Sequence, residues 1–272
     1  MPKETLENRR NKYEILKTDR ITKAFWTLNK ELKPETRVAF ERLIDATELD
    51  QVRNKQEKET SIKPSYTSLV VKAASIALKE FPYANRAVIG LPFSLKLVQF
   101  TSMDITVAVE RNVPGAEEHI VLADTIYDVG KKSLAEITRE LQTLSNADFD
   151  NSPRWKLFYT ILTRLPVFIS KWIIRMPGFF PSLWTKHRGN ACMVNSPAKY
   201  GIDLIVVDQI WPLTVSFGWV KERPIALNGE LKARKTMPLI IFFDRRVMVG
   251  APAARFFNRL AEILEKAATE IQ

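Results

Sequence analysis

Apolar residues run without a break from Leu239 to Phe243, inside the stretch MPLIIFFDRRVMVGAPAARFFNRLAEIL. A run that short predicts a fully buried strand. Three charges follow at once, Asp244, Arg245 and Arg246, and Gly250 marks a turn. Ala251 to Ala268 then places Phe256, Leu260, Ile263 and Leu264 on one helical face. Upstream, Ile21, Ala24, Phe25, Leu28 and Leu32 have helical spacing, which Pro34 stops. Thr36 to Ile44 alternates at Val38 and Phe40 as a strand does. Asp45 or Thr47 would cap a mostly solvated helix from Glu48 to Glu59. Leu69, Val70, Ala73, Ile76 and Ala77 form the next apolar helical face, with Ser65 or Thr67 as cap and Glu80 as its end. Met103 to Glu110 and Ile120 to Ile126 read as strands joined by a loop at 111–119, and Ser133 caps a helix from Leu134 to Leu144.

A chain of 272 residues with 46% hydrophobic content suffices for one large core. One cysteine allows no internal disulfide, and fits a reducing, cytoplasmic setting. The polar first 18 residues read as an arm without the apolar core of a secretory leader. No stretch of about 20 apolar residues predicts a membrane span. The net charge of +10 favours an acidic partner.

Much of that charge sits in one unusual segment. Residues 154–188, RWKLFYTILTRLPVFISKWIIRMPGFFPSLWTKHR, contain seven Lys or Arg, no acid, eight aromatics and three prolines. On one helical wheel Lys156, Arg164, Lys171 and Arg175 share about a third of the circle. Pro166 would kink or divide the helix, and Pro177, Gly178 and Pro181 would end it. Three readings fit: a hairpin packed on the domain or a neighbouring subunit, a helix pair at an anionic membrane surface, or nucleic acid binding. The last is not expected, because apolar residues outnumber the cations.

The segment DRRVMVGAPAARFFNRL resembles the C-terminal motif of the dihydrolipoamide acyltransferases, the catalytic domains of 2-oxo acid dehydrogenase complexes, in the wider chloramphenicol acetyltransferase group. That motif reads DHRxxDG before an alanine-rich helix. Asp244, Arg246 and Gly250 match it, while Arg245 stands for the histidine and Val249 for the second aspartate. Other stretches are similar too: DRITKAFWTLNKEL to the SRxRKxIA helix, ALKEFP to its counterpart, TIYDVGKKSL to VIRDADRKSL, and WPLTVSFGWVKERPIALNGELKARKTMPL to a strand-rich block. GNACMVNSPAKYGID resembles FTISNLGxxG, with Asn195 at the serine whose hydroxyl helps hold the oxyanion and Ser196 at the following asparagine. The resemblance spans roughly 19–148 and 189–268, with 151–188 as an insertion.

The resemblance implies an α/β domain with a mixed central sheet flanked by helices over 19–272. It also implies a homotrimer with active sites between subunits, and coenzyme A or acyl-CoA as ligand. Strands near Leu213–Val220 and Leu231–Phe243 would complete the sheet. In the family the histidine is the general base. An arginine stays protonated and has no acceptor, so Arg245 cannot take that role, although it could hold an anion. Val249 cannot form the ion pair that the family's aspartate makes with an arginine matched here by Arg20. The Asn195 amide could still donate to an oxyanion. His187, ahead of the Asn195 strand, is the candidate substitute base, and Cys192 reads as core. No metal-ligand spacing and no lipoyl domain are found in this chain. Three readings remain open: a degenerate acyltransferase-like pseudoenzyme, an active acyltransferase with another base, and a trimeric scaffold or membrane-surface module.

Overall fold

Strand pairing among the described residues forms two sheets. The computed structural model describes residues 13–16, 36–111, 120–147, 153–207, 209–227 and 229–271. In chain order the strands are β1 (Tyr13–Leu16), β2 (Arg37–Asp45), β3 (Arg86–Leu91), β4 (Ser94–Phe100), β5 (Ile105–Arg111), β6 (Ile120–Ile126), β7 (Cys192–Asn195), β8 (Leu213–Phe217), β9 (Lys221–Leu227) and β10 (Glu230–Asp244). The helices are α1 (Thr47–Thr60), α2 (Tyr66–Glu80), α3 (Leu134–Asn146), α4 (Pro153–Arg164), α5 (Val167–Arg175), α6 (Pro181–Arg188), α7 (Gly250–Glu265) and α8 (Ala267–Glu270).

The larger sheet has the order β2-β10-β8-β7-β5-β6, with β9 paired to the first half of β10. β7 runs parallel to β5 and β8, and the other pairings are antiparallel. This is the mixed sheet the sequence led us to expect. Alternate strand residues bury one face: Val107 on β5, Val194 on β7, Val215 on β8, Leu239 and Ile241 on β10. They meet Leu49 of α1, Leu69 and Ala73 of α2, Ile137 of α3, and Phe256 and Leu260 of α7 in one core cluster. The amphipathic faces of these helices are thus spent on the sheet.

Two elements have no counterpart in the sequence reading. The smaller sheet, β1-β4-β3, includes four residues of the N-terminal arm, Tyr13 to Leu16, paired antiparallel to β4. β9 is the second. Its sequence KERPIAL carries charges and Pro224, which demotes a strand in sequence reading, and Pro224 is tolerated because β9 lies off the path of the sheet.

Helix starts differ in detail. α1 has Ala46 at its N-cap with no side-chain cap, but the Asp45 carboxylate accepts the Thr47 N–H at 2.8 Å from one residue earlier. Ser65, not Thr67, caps α2 by accepting from the Ser68 N–H. Ser133 and Glu136 form a reciprocal capping box on α3. Pro166 does divide the insertion, standing at the N-cap of α5. Pro181, by contrast, opens α6 rather than ending a helix, because a first-turn proline forfeits no hydrogen bond. The expected helix at 21–32, Arg20 and the loop residues 112–119 lie outside the described residues.

Candidate functional site

β10 delivers Asp244 to its end, where the backbone N–H bonds to the carbonyl of Pro212 at 2.8 Å. The Asp244 carbonyl accepts from the N–H groups of Val247 and Met248, closing a tight turn. Its side chain is 2% exposed and fully engaged. One oxygen accepts the Arg246 backbone N–H at 2.9 Å and Nε at 3.0 Å, and the other accepts a terminal guanidinium N–H at 2.6 Å. That hydrogen bond and the carboxylate's charge raise the Arg246 guanidinium above its ordinary range, against the opposing effect of burial. A forked, charge-assisted pair of this kind fixes the turn.

Arg245 is held at its backbone, donating to the Thr36 carbonyl at 2.7 Å. Its side chain lines a cleft of about 440 Å³ together with Tyr83, Arg86, Val249 and Arg255. Among the described residues no acid lines this cleft. Tyr83 donates its hydroxyl to the carbonyl of Pro252 at the start of α7, 3.0 Å away. Arg86 donates Nε to Gln99 at 2.8 Å, and burial lowers its pKa. Arg86 and Tyr83 are not among the residues the sequence singles out, whereas Arg255 falls in the string that resembles the family's helix. Arg255 lies within the ARFFNRL string, so its helical phase offered a signal, whereas Arg86 offered none. Gly250 is the first residue of α7, and a Cβ there would meet nothing within 4 Å, so neither packing nor φ demands glycine at this place.

Asn195 ends β7 and is buried. It belongs to the sheet face opposite the helical layer, since Val194 faces the core. Its side-chain oxygen accepts a hydrogen bond from the Ser216 hydroxyl on β8. Ser196 is committed to the backbone, donating to the Phe217 carbonyl at 2.8 Å and accepting from the Ala198 N–H at 3.1 Å. Ser196 therefore works as a turn-forming hydroxyl. His187 is exposed in the last turn of α6 and is not among the residues lining the arginine cleft. Cys192 is wholly buried and burial pushes its thiol up to about 12, the reverse of an activated nucleophile.

The four insertion cations are all exposed, Lys156 and Arg164 on α4, Lys171 and Arg175 on α5. Because Pro166 separates the two helices, the single wheel that grouped them does not carry across the break. Among the described residues no three His, Cys, Asp or Glu cluster as a metal site, and no helix is long and apolar enough to cross a membrane.

The profile of the 2-oxoacid dehydrogenases acyltransferase (catalytic domain) family matches residues 15–153 and 213–271. The chain belongs to that family. The stretch between the matches contains α4 to α6 and β7, so the 2-oxoacid dehydrogenase acyltransferase frame is interrupted at the insertion and at Asn195. The chain is 27% identical over 211 residues to the succinyltransferase component of the 2-oxoglutarate dehydrogenase complex of Haemophilus influenzae, covering 78% of this chain and 42% of that protein. It is 24% identical over 260 residues to the acetyltransferase component of the pyruvate dehydrogenase complex of Acholeplasma laidlawii, covering 92% and 40%. The chain thus spans about two fifths of the length of these acyltransferase relatives.

The same fold appears in a probable dihydrolipoamide acetyltransferase from Listeria monocytogenes, with a TM-score of 0.60 at 18% identity over 95% of this chain and 97% of that one. It appears again in a chloramphenicol acetyltransferase, TM-score 0.55 at 10% identity over 93% and 99%. The expected α/β architecture of the chloramphenicol acetyltransferase type is therefore the architecture found.

Proposed function

We propose that this chain is an acyltransferase-family pseudoenzyme: it keeps an anion-binding cleft for acyl-CoA or coenzyme A and has no His-based transfer. One observation carries the reading. Asp244 is buried and its ion pair with the half-buried Arg246 holds the turn, and the residue the turn presents to the cleft is a guanidinium. A general base needs a pKa near the working pH, and arginine has none to offer. Arg245, Arg86 and Arg255, around a cleft that no acid lines among the described residues, instead suit phosphates, which a planar guanidinium grips with two parallel hydrogen bonds. By likeness to the family the protein assembles as a homotrimer, and the cleft would lie near a subunit boundary.

Acetyl transfer from acetyl-CoA to dihydrolipoamide tests the chemistry. The wild type is expected to leave the uncatalysed rate unchanged. Arg245→His with Val249→Asp is expected to raise the rate, by up to the ~10²–10⁴-fold that a positioned base contributes. Robust turnover by the wild type that disappears in His187→Ala would overturn the reading. Calorimetry with coenzyme A tests the cleft, with loss of binding expected in Arg245→Ser.

A further inference from the structure

The insertion exposes an apolar surface that neither the sheet nor the cleft uses. Its outer helices are pinned. Trp155 of α4 is buried and its indole N–H reaches Asp124 of β6 at 3.4 Å. Trp184 of α6 packs with Ala87, Ile89 and Val98 beneath the smaller sheet and donates to the Asn190 carbonyl at 3.1 Å. Between these anchors α5 rests on a narrow side. Ser170 is its one buried residue, with a hydroxyl donating to the Ile161 carbonyl at 2.6 Å, and Arg188 reaches the Ile174 carbonyl at 2.8 Å.

Every residue of α5 (VFISKWIIR) except Ser170 and Ile174 is exposed. Val167 is 83% exposed, Phe168 68% and Trp172 62%, and Leu157, Met176 and Phe180 are exposed on the flanking segments. Water is a poor neighbour for such a cluster, and exposed apolar patches of this kind mark interaction surfaces. Lys171 and Arg175 project from the same helix and Lys156, Arg164 and Lys186 from its neighbours, all exposed, and residues 153–188 contain no Asp or Glu. Exposed aromatic and aliphatic side chains flanked by exposed cations complement a layer of phosphate headgroups over acyl chains. A two-fold contact between copies of this surface would bring Lys171 and Arg175 against their own kind with no acid to relieve them. Nucleic acid would satisfy the cations and leave the apolar side chains in water.

We propose that the α4–α5 hairpin docks the protein peripherally on an anionic phospholipid bilayer. Val167, Phe168 and Trp172 enter the headgroup–acyl boundary, and Lys171 and Arg175 take lipid phosphates. This is independent of the proposed cleft ligand.

Co-sedimentation of the full chain with vesicles of phosphatidylcholine and phosphatidylglycerol, against phosphatidylcholine alone, tests it. The wild type is expected to pellet with the anionic vesicles and to shed much of that binding in high salt. Phe168→Ser with Trp172→Ser is expected to weaken partitioning by about tenfold or more, since apolar burial supplies the anchor. Lys171→Glu with Arg175→Glu is expected to abolish the preference for anionic lipid. All four side chains are exposed, so unchanged thermal melting is expected to confirm that the variants fold. Brominated acyl chains should quench tryptophan emission in the wild type and less in Trp172→Phe, which keeps an apolar ring. Failure of the wild type to pellet, or variants that pellet as the wild type does, overturns the proposal. So does a change in subunit number on sedimentation of the Phe168→Ser/Trp172→Ser variant, which would make the surface a subunit contact.

Discussion

A carboxylate enclosed with a guanidinium is stable only as a pair, which makes Asp244 the residue on which the turn depends. Asp244→Asn leaves the Arg246 charge without its fork. The expected cost is about 3 kcal/mol, at the low end for breaking a buried pair because 35% of the Arg246 side chain remains open to water. Urea unfolding of the variant measures it. Cys192 gives a second expectation. With its thiol held near 12 by burial, it should resist alkylation in the native protein at pH 8 and react fully in denaturant. The same burial sets a pH dependence. An unfolded thiol loses its proton near its ordinary value of 9.0, while the folded one keeps it to about 12. This contribution to stability is therefore whole below pH 9 and declines as pH rises toward 12. Tyr66, raised to about 12 by burial and by its hydrogen bond to Asp50, adds to the decline above pH 10. Denaturant midpoints across that range, in wild type and Cys192→Ala, should separate the two. At this scale the sequence was partly transparent. Asp244 beside Arg246 announces its own pairing, but Arg86 reaches the cleft only through the β3–β4 hairpin, which local pattern did not reveal.

Elements were legible where one residue set their period. Phe256, Leu260, Ile263 and Leu264 are all buried in α7 as their spacing demands. Phe256→Ala should cost about 3–5 kcal/mol, because it empties a fully enclosed ring site that Phe81 edges at 6.3 Å. Ser65→Ala should cost only about 1 kcal/mol, the worth of one N-cap. Calorimetric melting compares the two. Elements were illegible where tertiary pairing overrode local composition. β9 is polar and holds a proline, yet it pairs from Lys221 to Leu227 because β10 extends far enough to receive it. The insertion shows the opposite failure: its composition was plain, but a wheel drawn through Pro166 assumed one axis where there are two.

At the scale of the molecule, charge and assembly give the remaining expectation. Coenzyme A binding through three arginines should weaken as ionic strength rises, since salt screens partly exposed charges. It should vary little between about pH 7 and 9, where arginine does not titrate. Sedimentation should return a species near three times the chain's 31.2 kDa if the family's assembly is retained. The architecture itself followed from resemblance more than from pattern, since no periodicity reveals that β7 runs parallel between β5 and β8.

β10 pairs along its second half with β2, from Thr236 opposite Asp45 to Asp244 opposite Arg37, a separation of about 200 residues. A nascent chain leaving the ribosome would therefore carry β2 without its partner while the roughly 200 residues between them are made, closing this pair only when β10 emerges. Contacts so distant in sequence are slow to form and expose the edge meanwhile. Chaperone dependence during expression, and complete loss of product on truncation before residue 236, are the practical consequences.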